Sequence, residues 1–313
     1  MSEYHIKLRS NYLDSTVNID VIMPNPFVGH DPEKFYDSGK KFPVLWLLHG
    51  GQETFADWIT YSSVPRLGIW KNTIIVAPNA PNSDFINQPL VGEGYQFMDF
   101  FFHELMPFLY NWFPASSNPH RNFLAGNSMG CEAVWRYGIA HPEKFGCIAP
   151  LCSAPCDYSY LEEYRKISTD QFCALAEKGT IPSAYGSGKA KMSIREINSI
   201  RKYATVGAFI DSFENSMARF DDALREQRLP SIYMAGNSGD LSAFVTYAQK
   251  KHVPNITFSL TDRPVDNMDY LDKAVEDFMN FAGLDNVEKN DGSAPILAGV
   301  NAFGDEENGI TLH

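Results

Sequence analysis

Ser128 lies in the run Gly126-Asn127-Ser128-Met129-Gly130, with a glycine two positions away on either side. That spacing suits a nucleophile elbow, in which small residues let the chain turn sharply and push a serine hydroxyl out above a sheet. The context fits: Arg121–Ala125 reads as a short strand, and a helical pattern follows to about Ala140. A chance Gly/Ser turn would need neither. The backbone N–H of Met129 then falls at a helix N-terminus, where it can stabilise a developing oxyanion. Upstream, Leu48-His49-Gly50-Gly51 closes an apolar run. A glycine-rich loop there can bring a second N–H to the same oxyanion, and Gly51 is assigned that donor. His49 is expected to hold the loop through side-chain hydrogen bonds. Downstream, Asp240 follows the apolar stretch Ser231–Ala235, where the carboxylate of a catalytic triad belongs in chain order. The plainer reading of Asp240 is a helix-start cap.

These residues need a sheet to position them, and the chain supplies its pattern. Val17–Met23, Pro43–Leu48, Asn72–Ala77, Gly146–Leu151, Ser231–Ala235 and Ile256–Leu260 read as strands. Helical patterns alternate with them, among them Gly94–Phe113 and a final helix over Met268–Gly283. Such alternation predicts an α/β fold: a mostly parallel central sheet flanked by helices. The near-continuous apolar run at Pro43–Leu48 predicts a strand buried on both faces. Strand signals stop between about Ala154 and Leu229, where Ser193–Tyr203 and Ser212–Gln227 are helical in period. This stretch is expected to be a helical lid inserted over the sheet. Its Tyr158, Tyr160, Tyr164, Phe172 and Tyr185 would line a pocket or, more ordinarily for aromatic residues, form its own core. Residues 1–284 make one domain, and 285–313 read as an acidic, loosely ordered tail.

Composition excludes some roles. In 313 residues, 26 Lys plus Arg face 38 Asp plus Glu, a net charge of −12. Such a chain repels phosphate backbones and anionic lipid heads, so neither nucleic acid nor membrane is expected as a partner. No stretch reaches transmembrane length, and Met1–His5 lacks a secretory-signal pattern. Five irregularly spaced cysteines fit free thiols in a reducing cytoplasm. Cys152 and Cys156 lack the second Cys/His pair that zinc would need. The reading calls for no metal and no cofactor, and a homodimer is common for enzymes of this size.

Together these motifs resemble the esterase D-like group of α/β-hydrolases, which includes tributyrin and feruloyl esterases and S-formylglutathione hydrolases. The resemblance runs from about Tyr4 to Leu284. It is carried by Leu48-His-Gly-Gly51 with Asp57-Trp58, Glu104-Leu-Met-Pro107 with Phe113-Pro114, Asn122–Gly130, His141-Pro-Glu-Lys-Phe145 and Tyr270-Leu-Asp-Lys273. It implies an α/β-hydrolase fold, an acyl-enzyme on Ser128 and small-molecule ester substrates. It also implies a histidine base just before the last helix, but that position is Asp266, in Arg263-Pro-Val-Asp-Asn-Met268. A serine hydroxyl is a weak nucleophile until a base takes its proton, and a carboxylate of pKa about 4 suits that task less well than an imidazole. Three readings follow: an esterase with an unusual base, a hydrolase scaffold that binds a ligand in the old pocket, and a divalent-cation site on Asp240, Asp262 and Asp266.

Overall fold

A computed structural model describes residues 2–26, 31–51, 53–81, 83–88, 95–179, 181, 183, 191–265 and 267–284. Its strands are β1 (Ser2–Ser10), β2 (Ser15–Met23), β3 (Val44–Leu48), β4 (Ile74–Pro78), β5 (Asn122–Asn127), β6 (Cys147–Leu151), β7 (Ser231–Asn237) and β8 (Ile256–Thr261). They form one sheet in the order β1-β2-β4-β3-β5-β6-β7-β8. β1 and β2 pair antiparallel with each other, and β2 antiparallel with β4; the other pairings are parallel.

The apolar run at β3 is buried on both faces because successive side chains alternate. Val44, Trp46 and Leu48 enter one core, and Leu45 and Leu47 the other. Helix α1 (Val64–Trp70) covers the second face, where Val64 and Leu67 pack. On the first lie α2 (Met106–Trp112) and α3 (Met129–Ala140), with Trp135 and Tyr137 fully buried. Each large side chain buried in this way contributes roughly 1.5–3 kcal/mol relative to exposure.

β6 and β7 are joined by a helical insertion holding α4 (Thr169–Glu177), α5 (Ile194–Arg201), α6 (Val206–Ile210) and α7 (Ser216–Arg225). It has its own core, built on Leu161, Phe172, Ile200 and Phe209. Tyr158 and Phe172 are buried there and Tyr160 and Tyr164 pack against it, so these aromatics hold the insertion together; Tyr185 lies outside the described residues. Buried charge fastens the insertion to the body. Arg136 of α3 donates to Glu214 at 2.9 Å and to the Asp84 carbonyl at 2.9 Å, and Lys202 reaches Asp84 at 2.6 Å. Helices α8 (Ser238–Lys251) and α9 (Met268–Phe281) complete the layers. Asp272, within the Tyr270–Lys273 motif, accepts the backbone N–H of Ser63 at the start of α1 at 2.8 and 3.0 Å.

Two local features depart from the pattern reading. The single helix expected over Gly94–Phe113 is interrupted by a π-helical stretch, Phe100–Leu105. This wide turn buries Phe100, Phe101 and Phe102 in succession, and Pro107, with no N–H to return to the preceding turn, follows it. β1 was not expected, although Tyr4, Ile6 and Leu8 alternate as a strand requires. Among the described residues no helix is long and apolar enough to cross a membrane. The tail from residue 285 lies outside the described residues.

Candidate active site

Parallel pairing brings the carboxyl ends of the strands to one edge, the usual place for a ligand site in an α/β sheet. The registers Leu48 with Gly126, Asn127 with Leu151 and Asn237 with Thr261 set those ends level. Ser128 follows β5 directly, with φ 50° and ψ −116°, and is exposed. A non-glycine residue with positive φ stores on the order of 1–3 kcal/mol and persists only where its surroundings dictate it. The flanking glycines show what dictates it here. A Cβ on Gly130 would lie 2.2 Å from the Leu48 carbonyl oxygen, and one on Gly126 would lie 2.7 Å from the Gly130 carbonyl. Only glycine lets α3 begin this close to the end of β3. Met129 is the first residue of α3, so its N–H belongs to the unsatisfied first turn.

The β3 loop is braced from several sides. His49 is fully buried; its Nδ1 donates to the Gly50 carbonyl at 2.8 Å, and its Nε2 accepts the Ala80 N–H at 3.0 Å. The backbone donor at Nε2 fixes the tautomer, with the ring proton on Nδ1. Burial holds the His49 pKa below its ordinary value, so the ring is neutral. Trp58, also buried, donates from Nε1 to the Leu48 carbonyl at 3.3 Å. Gly51 is half-buried in the turn that follows.

Ser128 opens into a cavity of about 760 Å³. Residues that pattern reading did not single out form much of its wall. Glu53 accepts the Gly50 N–H at 2.7 Å and the Asn127 side-chain amide at 3.2 and 3.3 Å. It thereby ties the β3 loop to the residue before Ser128. Glu132 from α3 and Glu196 from α5 also line the cavity. Cys152, just after β6, has φ 78° and donates its thiol to the Val265 carbonyl at 3.5 Å. The neighbouring thiol of Cys131 is buried, which pushes its pKa well up. A glutamate in a glycine-rich loop was the one visible hint of Glu53; the others meet only through the fold.

Asp240 stands in the first turn of α8, exposed, and is not among the lining residues. Asn237 caps that helix, accepting from the Gly239 and Asp240 N–H groups, and its amide donates to the Arg263 carbonyl at 3.1 Å. It links the end of β7 to the turn after β8. Asp266 lies outside the described residues; Val265 and Asn267, on either side of it, line the cavity. Asp262 is exposed. Among the described histidines none lines the cavity. His252 caps the C-terminus of the 14-residue α8, roughly 21 Å along its axis from the end that meets the strand edge. His141 likewise ends α3. His30 and His313 lie outside the described residues.

Residues 10–232 match the family model named Esterase, described as "Putative esterase". The chain belongs to the esterase family. An acetyl esterase of Caldicellulosiruptor saccharolyticus is 26% identical to this family member over 213 residues, which are 59% of this chain and 79% of that one. The fold is shared with FphF, a fluorophosphonate-binding serine hydrolase of Staphylococcus aureus, at TM-score 0.66 and 19% identity, over 90% of this chain and 98% of that one. It is shared also with the S-formylglutathione hydrolase FrmB of the same organism, at TM-score 0.64 and 18% identity, over 90% and 99%. The mostly parallel sheet with helices on both faces is thus the α/β-hydrolase fold expected from the sequence.

Proposed function

We propose that this esterase-family chain hydrolyses short-chain or aromatic carboxylic esters through an acyl-enzyme on Ser128. The observation that carries the reading is the strained Ser128, held at the start of α3 and open to the cavity. In this reading Ser128 Oγ attacks the ester carbonyl. The N–H groups of Met129 and Gly51 hold the oxyanion, the alcohol leaves with a proton, and water then cleaves the acyl group from Ser128. Asp266 stands where the base is expected, with Asp240 as the acid of chain order. A carboxylate base makes the reaction slow, since loss of a histidine base typically costs on the order of 10⁴ to 10⁶ in rate. Free cysteines fit a cytoplasmic setting.

The absence of a cavity-lining histidine among the described residues favours a second reading: a hydrolase scaffold that keeps its pocket for a ligand and has lost turnover. Purified protein, Ser128→Ala and Asp266→His, each incubated with p-nitrophenyl acetate and butyrate, decide between them. Turnover that disappears in Ser128→Ala is the expected result and supports the acyl-enzyme. No turnover in the parent chain, with activity appearing in Asp266→His, would establish the second reading.

A further inference from the structure

The elbow makes the cavity a candidate ligand site; the walls decide what charge the ligand carries. Carboxylates face it from three separate elements. Glu53 comes from the β3 loop, fixed by the Gly50 N–H and the Asn127 amide. Glu132 comes from the first turn of α3 and is 2% exposed, with Arg136 3.8 Å away. That guanidinium is shared with Glu214 at 2.9 Å, so it does not cancel Glu132 alone. Glu196 comes from α5 and is also 2% exposed; it accepts the Ser183 hydroxyl at 2.7 Å and the Ser193 N–H at 2.7 Å. Lys191 is the one basic residue among the described lining residues. Glu53 and Glu196, held by neutral donors, present their oxygens at fixed points, and a concave wall of low polarisability focuses the field inward. Val265, Met268 and Leu271 add hydrocarbon to the lining.

We propose that the Ser128 cavity selects esters bearing an ammonium or quaternary ammonium group over neutral or anionic esters of the same shape. The substrate class rests on the esterase reading for turnover, but the charge preference does not. A cation seated against Glu53 and Glu196 gains from both, while an anionic acyl chain or alcohol is repelled by all three carboxylates. The Met129 and Gly51 N–H groups serve only the single oxygen that becomes negative during the reaction.

The test pairs two probes of one shape, choline and its uncharged carbon isostere 3,3-dimethyl-1-butanol. Their binding to the full chain is measured by calorimetry, with Glu53→Gln and Glu196→Gln variants checked for folding by circular dichroism. Choline is expected to bind about tenfold more tightly or better, with the advantage shrinking in either variant and at high salt. Equal affinities, no binding of either probe, or a choline preference indifferent to both substitutions would overturn the proposal. A parallel assay compares acetylthiocholine with 3,3-dimethylbutyl thioacetate. A higher kcat/KM for the cation supports the proposal. Equal turnover of both defeats it and leaves the esterase standing. No turnover of either, alongside charge-selective binding, defeats the esterase reading and upholds the cation preference.

Discussion

The two halves of the sheet edge around Ser128 are built differently. On the β3–β5 side, Ser128, Gly130, Leu48, His49 and Trp58 interlock with almost no freedom: a strained serine, a missing Cβ, and a carbonyl and an imidazole each bonded internally. On the β7–β8 side, Asp240 and Asp262 are exposed, and the turn after β8 is held by single bonds from Asn237 to the Arg263 carbonyl and from the Cys152 thiol to the Val265 carbonyl. Tight packing allows few substitutions, whereas an exposed turn tolerates many. Substitutions are therefore expected to cost more on the β3–β5 side than on the β7–β8 side.

Substitutions can break or sharpen that contrast. The largest effect is expected from Gly130→Ala, whose methyl would meet the Leu48 carbonyl at 2.2 Å. A loss of about 3 kcal/mol or more, or failure to fold, should appear in denaturant unfolding. Near-native stability would show that the elbow is not locked as described. His49→Gln comes next, at roughly 1–3 kcal/mol, because the Ala80 N–H and the Gly50 carbonyl are left imperfectly paired. His49 also predicts a pH dependence. Its folded pKa lies below the ordinary value near 6.5, so its contribution is present above that pH. As pH falls through about 6.5, the unfolded chain takes up a proton that the folded chain refuses, and stability drops until the folded value is passed. Melting curves between pH 7 and 5 should fall less steeply in His49→Gln than in the parent; parallel curves would contradict the neutral buried ring. The smallest effect is expected from Asn237→Ala, which removes the α8 cap and the tie to Arg263 for about 1 kcal/mol. A loss as large as that of His49→Gln would erase the distinction between the two halves.

Much of the scaffold was legible because its signals are local. β3 announces itself as a continuous apolar run, and the tight turn at Ser128 as a glycine pattern between a strand and a helix. The role of His49 followed from its place in a glycine loop. β1 is faint in the sequence although its alternation is present, because six of its nine residues are polar and it lies at the sheet edge, where one neighbour suffices. The π-helical turn at Phe100–Leu105 has the composition of an ordinary helix and depends on how three phenylalanines fit the core. Glu53, Glu132 and Glu196 were invisible as a group, since they are far apart in the chain and meet only when the insertion folds over the edge.

The insertion's separate core has a consequence of its own. The cavity has one wall governed by the sheet and another governed by Leu161, Phe172, Ile200 and Phe209. Ser183, Ser193 and Glu196 lie at the end of the insertion that carries this core, away from Phe220 and Ala223, which anchor α7 in the core of the sheet. Such an arrangement lets one wall of the pocket be reshaped within the insertion while the turn that carries Ser128 is held by the sheet.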